Sequence, residues 1–156
     1  VSRNLYEQCR QANIDDVGGI LELLQPLEAN GVLVKRSREL LETEIAQFTV
    51  LERDGRVIAC AALYTYPEYE SAEIACIVCH PDYRGEDRGR RLLDVLQKDA
   101  VHRGLSSVFV LTTQTAHWFI EQGFSEQERS SLPQPKQSLY NLQRNSKVFV
   151  KPLLAK

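Results

Sequence analysis

The sequence predicts a mixed α/β (α+β) fold whose sheet is antiparallel at first and parallel in its middle. Hydrophobic residues recur at helical spacing in the segments 13–30 and 37–48. The hydrophobic period then changes to two across residues 49–80, which is typical of strands. A helical segment next joins the last of these strands to another strand rich in β-branched residues. That order predicts a right-handed parallel crossover.

Length and composition fit one soluble globular domain. The chain has 156 residues, of which 43% are hydrophobic and 26% charged, with a formal net charge of -2. This charge gives no reason to expect a nucleic-acid partner, and no apolar run is long enough to cross a membrane. The four cysteines do not have the density of a disulfide framework, which favours a cytoplasmic protein.

The two ends of the chain differ from its middle. Residues 1–10 are polar and are predicted to be a tail or linker, so the folded domain is expected over 11–156. The sequence starts at Val1 and contains no Met, which is consistent with a fragment of a longer protein.

Two helices are predicted before the first strand. Asn13 is a suitable N-cap for a helix over residues 13–30. The glycine pair at 18–19 lowers helix propensity by about 1 kcal/mol per residue relative to alanine, so it indicates close backbone packing or a bend. Ser37 is a suitable cap for a second helix, which is predicted to end at Phe48.

Three consecutive strands are predicted to form an antiparallel meander. Segments 49–53 and 56–66 flank Asp54-Gly55, a strong signal for a tight hairpin. A turn over 67–70 leads to the third strand, 71–80. The later elements are predicted in the following order: a helix over 88–103, a strand over 107–113, a helix over 115–122, a short strand over 124–128, a loop over 129–138 and a final strand over 138–151.

The segment 77–89 combines a strand, a tight turn, a glycine-bearing loop and the start of a helix. Amides in the first turn of a helix lack intrahelical acceptors and suit an anion such as a diphosphate. Gly85 and Gly89 let the backbone approach it closely. The four arginines of residues 84–91 outnumber Glu86 and Asp87 by two charges. On residue types alone, an ordinary loop before an amphipathic helix explains the pattern equally well.

This segment resembles the acetyl-CoA-binding signature of the GNAT superfamily of N-acetyltransferases. Val78, Pro81, Arg84 and Gly89 stand in register with that signature, whereas Asp87 replaces the usual glycine. The resemblance implies the acyl-CoA N-acyltransferase fold, a sheet with splayed parallel strands flanked by helices, and acetyl-CoA as co-substrate. The cofactor-binding residues it implies are Ile77, Val78, Cys79, Arg84, Gly85, Glu86, Asp87, Arg88, Gly89 and Phe119.

A narrower resemblance is carried by Glu73-Ile74-Ala75-Cys76, by Leu111-Thr112-Thr113 and by Leu139-Tyr140-Asn141 with Gln143-Arg144. These motifs are similar to the acetyltransferase domain of N-acetylglutamate synthases. The resemblance implies acetylation of L-glutamate on its α-amine in arginine biosynthesis. It also implies an amino-acid-kinase-like domain in front of this one, and a homo-oligomer.

The same resemblance suggests catalytic roles for three side chains. Glu73 is the candidate general base that removes a proton from the amine, directly or through a water. On charge statistics alone, a glutamate at a strand edge in solvent is the simpler interpretation. The departing thiolate needs a proton, and Thr112 and Tyr140 both remain candidates for its donor.

The two carboxylates of glutamate suit the planar guanidinium of arginine. By resemblance, Arg36 and Arg144 are expected to bind them, with Ser146 as an added donor and Cys76 near the substrate through its backbone. Lys35 and Arg38 are alternatives to Arg36.

Two other functions and one other kind of site are compatible with parts of the sequence. The acceptor could be another small amine or a protein N-terminus, although arginines disfavour a cationic acceptor. The domain could also be a non-catalytic acyl-CoA-binding module. Cys76 and Cys79 have the spacing of a redox or zinc pair, but residues three apart on a strand point to opposite faces, so no metal site is expected.

Overall fold

The computed structural model of the protein describes residues 7–31, 33, 35–85, 87–112, 115–137 and 147–153. The strands within these residues are β1 (Glu7–Gln11), β2 (Phe48–Arg53), β3 (Arg56–Tyr66), β4 (Ser71–Cys79), β5 (Ser107–Thr112), β6 (Ser125–Gln127) and β7 (Lys147–Pro152). The helices within the same residues are α1 (Val17–Ala29), α2 (Arg38–Glu44), α3 (Arg88–His102), α4 (Ala116–Glu121) and α5 (Gln134–Gln137).

The strands join in one mixed sheet with the order β1-β2-β3-β4-β5-β7-β6, which confirms the mixed α/β prediction. Contacts divide the chain into two units, the first comprising Val1–Ala62 and Cys76–Leu96 and the second Leu63–Ala75 and Gln97–Lys156. Strands β3 and β4 are each divided between the two units. No helix in the described part of the chain combines the length and the apolar character that a bilayer crossing needs.

In the first unit, Asn13 caps a 3-10 turn over Ile14–Asp16, and α1 begins only at Val17, later than the predicted start at residue 13. The Asn13 side chain accepts a hydrogen bond from the amide of Asp15 at 2.9 Å, and Asp16 accepts one from the amide of Asn13 at 2.8 Å. The glycine pair permits close packing, since a Cβ on Gly19 would lie 3.1 Å from Cβ of Val57 on β3. The buried residues of this unit include Val17, Ile20, Leu24, Leu41, Phe48, Val50, Ile58, Leu92 and Leu93.

The prediction of a polar tail is wrong for residues 7–10. They form most of β1, which pairs antiparallel with β2 from Glu7↔Arg53 to Gln11↔Thr49. Arg10 bridges Asp16 and Glu52, each at 2.8 Å. This strand is held by its ladder and by ion pairs rather than by alternating apolar residues, and for that reason composition did not indicate it.

The second helix also ends earlier than predicted. Ser37 caps α2 by accepting a hydrogen bond from the amide of Leu40 at 3.1 Å, as expected. The helix then tightens into a 3-10 turn over Ile45–Gln47, and Phe48 begins β2 opposite Ala62. Phe48 is fully buried as a strand residue, so its burial rather than helical spacing explains its apolar side chain. The Asp54-Gly55 hairpin is confirmed, with φ of 52° and 81°.

In the second unit, β4 and β5 are parallel, as the crossover prediction requires. Ser71–Glu73 pairs with Ser107–Phe109. Strand β5 also pairs antiparallel with β7, and β6 pairs with β7. The packed cluster of this unit contains Phe109, Leu132 and Val148, with Tyr66, Leu111 and Val150 against it.

The segment 129–138 was predicted to be a loop, and this prediction is wrong for part of it. A 3-10 turn covers Arg129–Ser131 and α5 covers Gln134–Gln137. Pro133 directly precedes α5 and Pro135 is its second residue, where a missing amide hydrogen is tolerated. The final strand was predicted over 138–151, and β7 confirms its second part, while residues 138–146 lie outside the described residues.

Candidate functional site

The chain turns sharply after β4, as the segment 77–89 predicts. The amide of His80 donates to the carbonyl of Ile58 at 2.8 Å, and the ring Nδ1 of His80 accepts from the amide of Asp82 at 3.0 Å. A 3-10 turn over Pro81–Tyr83 follows, and the thiol of Cys79 lies 3.4 Å from the carbonyl oxygen of Tyr83. These contacts fix the entry of the loop that precedes α3.

The loop itself has a backbone suited to close approach by an anion. Gly85 has φ of +97°, and an added Cβ there would meet nothing within 4 Å. Asp87 has φ of +60°, a conformation that glycine adopts most easily. Its carboxylate lies 3.6 Å from the guanidinium of Arg90, and its carbonyl accepts the first helical hydrogen bond of α3. The predicted member Glu86 lies outside the described residues.

The arginines of the loop have different surroundings. Arg84 and Arg90 are exposed, whereas Arg88 is 4% exposed. The Arg88 guanidinium donates to both carboxylate oxygens of Glu7, at 2.9 and 3.0 Å, and to the carbonyl of Tyr83 at 2.7 Å. The Arg88 side chain is therefore engaged within the first unit, and its predicted contact with the cofactor stays a prediction.

Glu7 on β1 contacts the start of α3, and sequence reasoning missed it. Besides Arg88, it accepts hydrogen bonds from Arg53 at 3.0 Å and from Arg91 at 2.8 Å. The hydrogen bond from Arg88, supported by Arg91 and Arg53, lowers the pKa of Glu7 to about 2. Its carboxylate thus cancels part of the positive charge that the sequence counted for the loop, and it ties β1 to α3.

Strand β4 carries further predicted residues of the first unit. Cys76 is buried and has φ of +55°, which interrupts the regular strand ahead of Ile77, Val78 and Cys79. The buried thiol of Cys60 lies 3.4 Å from the carbonyl oxygen of Cys76 and donates to it. A left-handed residue other than glycine inside a strand is uncommon, and such positions cluster at functional sites.

Arg36 lies in the same unit, half-buried, after α1. Its amide donates to the carboxylate of Glu28 at 3.0 Å, which fixes the backbone at this position. The two alternatives to Arg36 are both exposed: Lys35, and Arg38, which lies 3.9 Å from Glu42. The roles of Arg36 and Cys76 in substrate binding stay predictions. Arg144, Ser146 and Tyr140 lie outside the described residues.

In the second unit, Glu73 is buried, at 6% exposed. This excludes the simpler interpretation of a strand-edge glutamate in solvent. Its Oε1 lies 3.0 Å from Nζ of Lys136, which is itself 7% exposed. A buried carboxylate with a paired cation is a common arrangement at functional sites, although ion pairs of purely structural value share it.

Thr112 ends β5 and lies next to the start of α4. Its Oγ1 accepts a hydrogen bond from the amide of Thr115 at 3.1 Å and lies 2.9 Å from the Thr115 hydroxyl. Phe119 on α4 is buried against Trp118 and Phe124, with ring centroids 4.9 and 5.4 Å away. The side chain of Phe119 therefore has a packing role, and its predicted contact with the cofactor stays a prediction.

The four cysteines are free thiols. Within the described ranges, no group of three or more His, Cys, Asp or Glu side chains is placed to hold a metal ion. Burial raises the pKa of Cys60 well above its usual value and raises that of Cys79. Both thiols are thus held in their neutral form at neutral pH.

Comparison with known proteins gives the class to which this fold and loop belong. Residues 18–124 match the acetyltransferase (GNAT) family, so the chain belongs to that family, and the resemblance to the GNAT superfamily is confirmed.

Among individual proteins, the chain is similar to the amino-acid acetyltransferase of Aliivibrio fischeri strain MJ11, at 60% identity over 144 residues, and to that of Pseudomonas putida, at 54% over 153 residues. The alignments cover 92% and 98% of this chain but 32% and 35% of the relatives. The chain therefore spans about a third of the length of the curated relatives it matches.

Two solved structures are also similar. N-acetylglutamate synthase from Neisseria gonorrhoeae complexed with coenzyme A and N-acetyl-glutamate matches with a TM-score of 0.92 and 39% identity, over 96% of this chain and 35% of that one. The same synthase complexed with coenzyme A and L-arginine matches with a TM-score of 0.85 and 38% identity, over 95% and 33%.

Proposed function

We propose that this chain is an amino-acid N-acetyltransferase that moves the acetyl group of acetyl-CoA onto the α-amine of L-glutamate, giving N-acetyl-L-glutamate and CoA. The observation that carries the proposal is the likeness, at a TM-score of 0.92, to an N-acetylglutamate synthase complexed with coenzyme A and N-acetyl-glutamate. The 60% identity to an amino-acid acetyltransferase supports the same conclusion. Action in arginine biosynthesis, a cytoplasmic location and a homo-oligomeric state belong to the proposal as well.

The loop 84–89 is proposed to bind the diphosphate of coenzyme A through its backbone amides. The positive φ of Gly85 and Asp87 supports this. Left-handed residues in a loop before a helix help backbone amides to converge on one anion. Exposed Arg84 adds a positive charge beside the anion. The backbone of Ile77–Cys79 is proposed to pair with the pantetheine arm.

Glu73 is proposed as the general base. Its carboxylate takes a proton from the ammonium group of glutamate, directly or through a water. The free amine then forms a bond to the thioester carbonyl carbon, and the bond from that carbon to sulfur breaks. The nitrogen loses a second proton as the amide forms, the thiolate of CoA takes up one proton to leave as the thiol, and Glu73 releases its proton to water. General-base catalysis of this kind contributes about 10²–10⁴ in rate.

Thr112 is proposed as one of two candidate proton donors to the thiolate, with Tyr140 as the other. Oγ1 of Thr112 already accepts a hydrogen bond from an amide. Its hydroxyl also lies 2.9 Å from the hydroxyl of Thr115, a contact in which either oxygen can donate. Arg36, Arg144 and Ser146 are proposed to bind the carboxylates of glutamate, with the backbone of Cys76 near the substrate.

A turnover assay tests the proposal. Purified protein is given acetyl-CoA with L-glutamate, with other amino acids, and with a polyamine, and the released thiol is measured. We expect release with L-glutamate and none above background with the polyamine. Turnover with the polyamine but not with glutamate would replace the acceptor, and binding of acetyl-CoA without any turnover would support the non-catalytic module instead.

The base is tested by Glu73→Gln, which keeps the shape of the side chain but cannot accept the proton. We expect kcat to fall by about 100-fold or more, while the affinity for CoA stays within about twofold. Glu68→Gln is the matched control, because Glu68 is exposed in the turn that precedes β4. An unchanged kcat in Glu73→Gln would exclude Glu73 as the base.

A further inference from the structure

Lys136 is a buried cation in a segment that the sequence predicts to be a loop. Nζ of Lys136 lies 3.0 Å from Oε1 of Glu73, and the two side chains are 9% and 8% exposed. Lysine is rarely buried to this degree unless its charge is paired. The pair therefore accounts for the placement of both charges within the second unit.

The backbone that carries Lys136 is fixed by local contacts. The amides of Lys136 and Gln137 both donate to the carbonyl of Pro133, at 2.9 and 3.0 Å. The Gln137 side chain donates to the carbonyl of Leu132 at 2.7 Å. Leu132 is buried in the cluster with Phe109, and Phe109 is the register partner of Glu73 on the neighbouring strand. The ammonium is thus held near Glu73 by a hydrogen-bonded turn that is anchored in the core of the second unit.

A cation in this position affects the charge and the orientation of the carboxylate. Burial disfavours an ionised carboxylate, whereas a cation at hydrogen-bond distance favours it. Tyr66 on β3 is another titratable group close enough to Glu73 to be affected by its charge. Burial, and in second place the negative charge of Glu73, raises the pKa of Tyr66. The phenol therefore stays neutral and cannot balance the negative charge of Glu73. The ammonium of Lys136 can.

We propose that Lys136 is a positioning residue of the catalytic base: its ammonium keeps the buried Glu73 carboxylate ionised and fixes the direction of one of its oxygens. The carboxylate held in this way takes the proton of the substrate ammonium. This inference rests on the proposed function of Glu73 and adds to it the residue through which the base is made competent at neutral pH.

The first test compares Lys136→Met and Lys136→Arg in kcat and KM for glutamate between pH 6 and 9. We expect Lys136→Met to lower kcat at pH 7 by about 10-fold or more and to move the acidic limb of the kcat profile upward by about one to two pH units, since loss of a close cation favours the protonated acid. Lys136→Arg keeps the charge and should retain the limb. Lys98→Met, an exposed lysine of α3, is the control.

The same data separate positioning from substrate binding. A raised KM for glutamate with an unmoved limb would mean that Lys136 contacts the substrate, and an unchanged kcat and limb would mean that the pair is only structural. Either result overturns the proposal. The effect must also pass through Glu73, so Lys136→Met should cost little further activity in the Glu73→Gln background. An equal loss in both backgrounds would overturn it as well.

A measurement without turnover keeps this inference separate from the proposed function. Carbon-13 spectra of side-chain carboxyl groups are recorded against pH, and the Glu73 signal is assigned by its absence in Glu73→Gln. In Lys136→Met the signal should titrate at higher pH than in the unaltered protein, by about one unit or more. A coincident titration overturns the inference even in an active enzyme. A clear shift of the Glu73 titration in a protein that does not acetylate glutamate would support the pairing and contradict only the proposed function.

Discussion

At the scale of single residues, two non-glycine positions with positive φ lie on either side of the strand end and turn that lead into α3. Cys76 has φ of 55° within β4, and Asp87 has φ of 60° at the end of the loop. A left-handed conformation costs roughly 1–2 kcal/mol for an ordinary residue, so the surrounding structure must fix it. The thiol of Cys60 contributes at Cys76 by donating to its carbonyl. Asp87 has instead a salt bridge to Arg90 and the first helical hydrogen bond of α3.

Asp87 places a negative charge beside amides that are proposed to bind a diphosphate. Replacing it by glycine removes both that charge and the strained φ, and replacing it by asparagine removes the charge alone. Since two unit charges 4 Å apart in water interact by about 1 kcal/mol, we expect Asp87→Asn to bind CoA about fivefold tighter by calorimetry. Asp87→Gly should bind at least as tightly.

The control for this comparison is Asp94→Asn, an exposed carboxylate further along α3 that should leave the affinity nearly unchanged. Weaker binding in both Asp87 variants would mean that the carboxylate organises the loop more than it repels the anion.

The candidate site could be predicted only in part from these residues. The loop glycines stand in a local motif, and Glu73 and Thr112 stand in motifs that resemble a known family, so the sequence singles them out. Lys136 and Glu7 cannot be found in this way, because the role of each depends on an ion pair with a residue that lies far away along the chain. Their residue types alone indicate exposed charges.

At the scale of elements, β1 is held by charge to a degree unusual for a strand. Its Glu7 contacts three arginines and its Arg10 contacts two carboxylates, among them Asp16 at the start of α1. The hydrogen bonds from Arg10 lower the pKa of Asp16. Alternation of apolar residues, the usual signal of a strand, is absent from Glu7–Gln11, so no reading of periodicity could have found it.

Glu7→Gln should destabilise the fold and loosen the start of α3. The pKa of Glu7 falls from 4.5 to about 2 in the folded protein, and its side chain is 10% exposed. By linkage this corresponds to about 3 kcal/mol at neutral pH. Urea denaturation at pH 7 should therefore give a free energy of unfolding lower by about 2–3 kcal/mol. Lys147→Gln, at an exposed position of β7, is a control for charge alteration at a strand.

The pH dependence follows from the sign of that shift. Because the folded protein lowers the pKa of Glu7, its stabilisation is complete above pH 4.5 and declines as the pH falls towards about 2. The difference in unfolding free energy between the unaltered protein and Glu7→Gln should shrink over this range. A constant difference between pH 5 and 3 would show that the ion pairs contribute nothing through Glu7.

The two glycines of α1 make a matched pair for a test of packing. A Cβ on Gly18 would meet its nearest atom, in Arg38, at 3.6 Å, whereas a Cβ on Gly19 would lie at 3.1 and 3.2 Å from atoms of Val57. Alanine in a helix is favoured over glycine by up to about 1 kcal/mol. We expect Gly18→Ala to be neutral or stabilising in urea denaturation, and Gly19→Ala to be less stable than it by about 1 kcal/mol or more.

Equal stabilities of the two alanine variants would mean that β3 adjusts at Val57 without cost, and that the pair at 18–19 does not mark a close approach.

Some of the helices and strands could be predicted from the sequence, and others could not. The helices with clear apolar faces and the hairpin with Asp54-Gly55 follow from local signals. The early end of α2 and the helical turn of α5 depend instead on burial of Phe48 and Leu132, which tertiary packing decides.

At the scale of the whole molecule, the chain spans about a third of the length of its curated relatives. Cofactor binding should therefore be measured on this chain itself. A ligand that binds only the folded state stabilises it by about 2.7 kcal/mol when present at one hundred times its Kd. For a protein of this size, about 1 kcal/mol raises Tm by roughly 2–4 °C. Acetyl-CoA or CoA at such a concentration should therefore raise the Tm by about 5–10 °C.

Pantetheine is the control ligand for this thermal shift, because it has the arm of the cofactor without the diphosphate. If amides around residues 84–89 supply most of the affinity, pantetheine at equal concentration should raise the Tm by less than a quarter of the shift seen with CoA. A Tm that stays unchanged with both acetyl-CoA and CoA, in protein that unfolds cooperatively, would remove the basis of the proposed function. An equal shift with pantetheine would keep cofactor binding but move its main contacts from the loop to the strand.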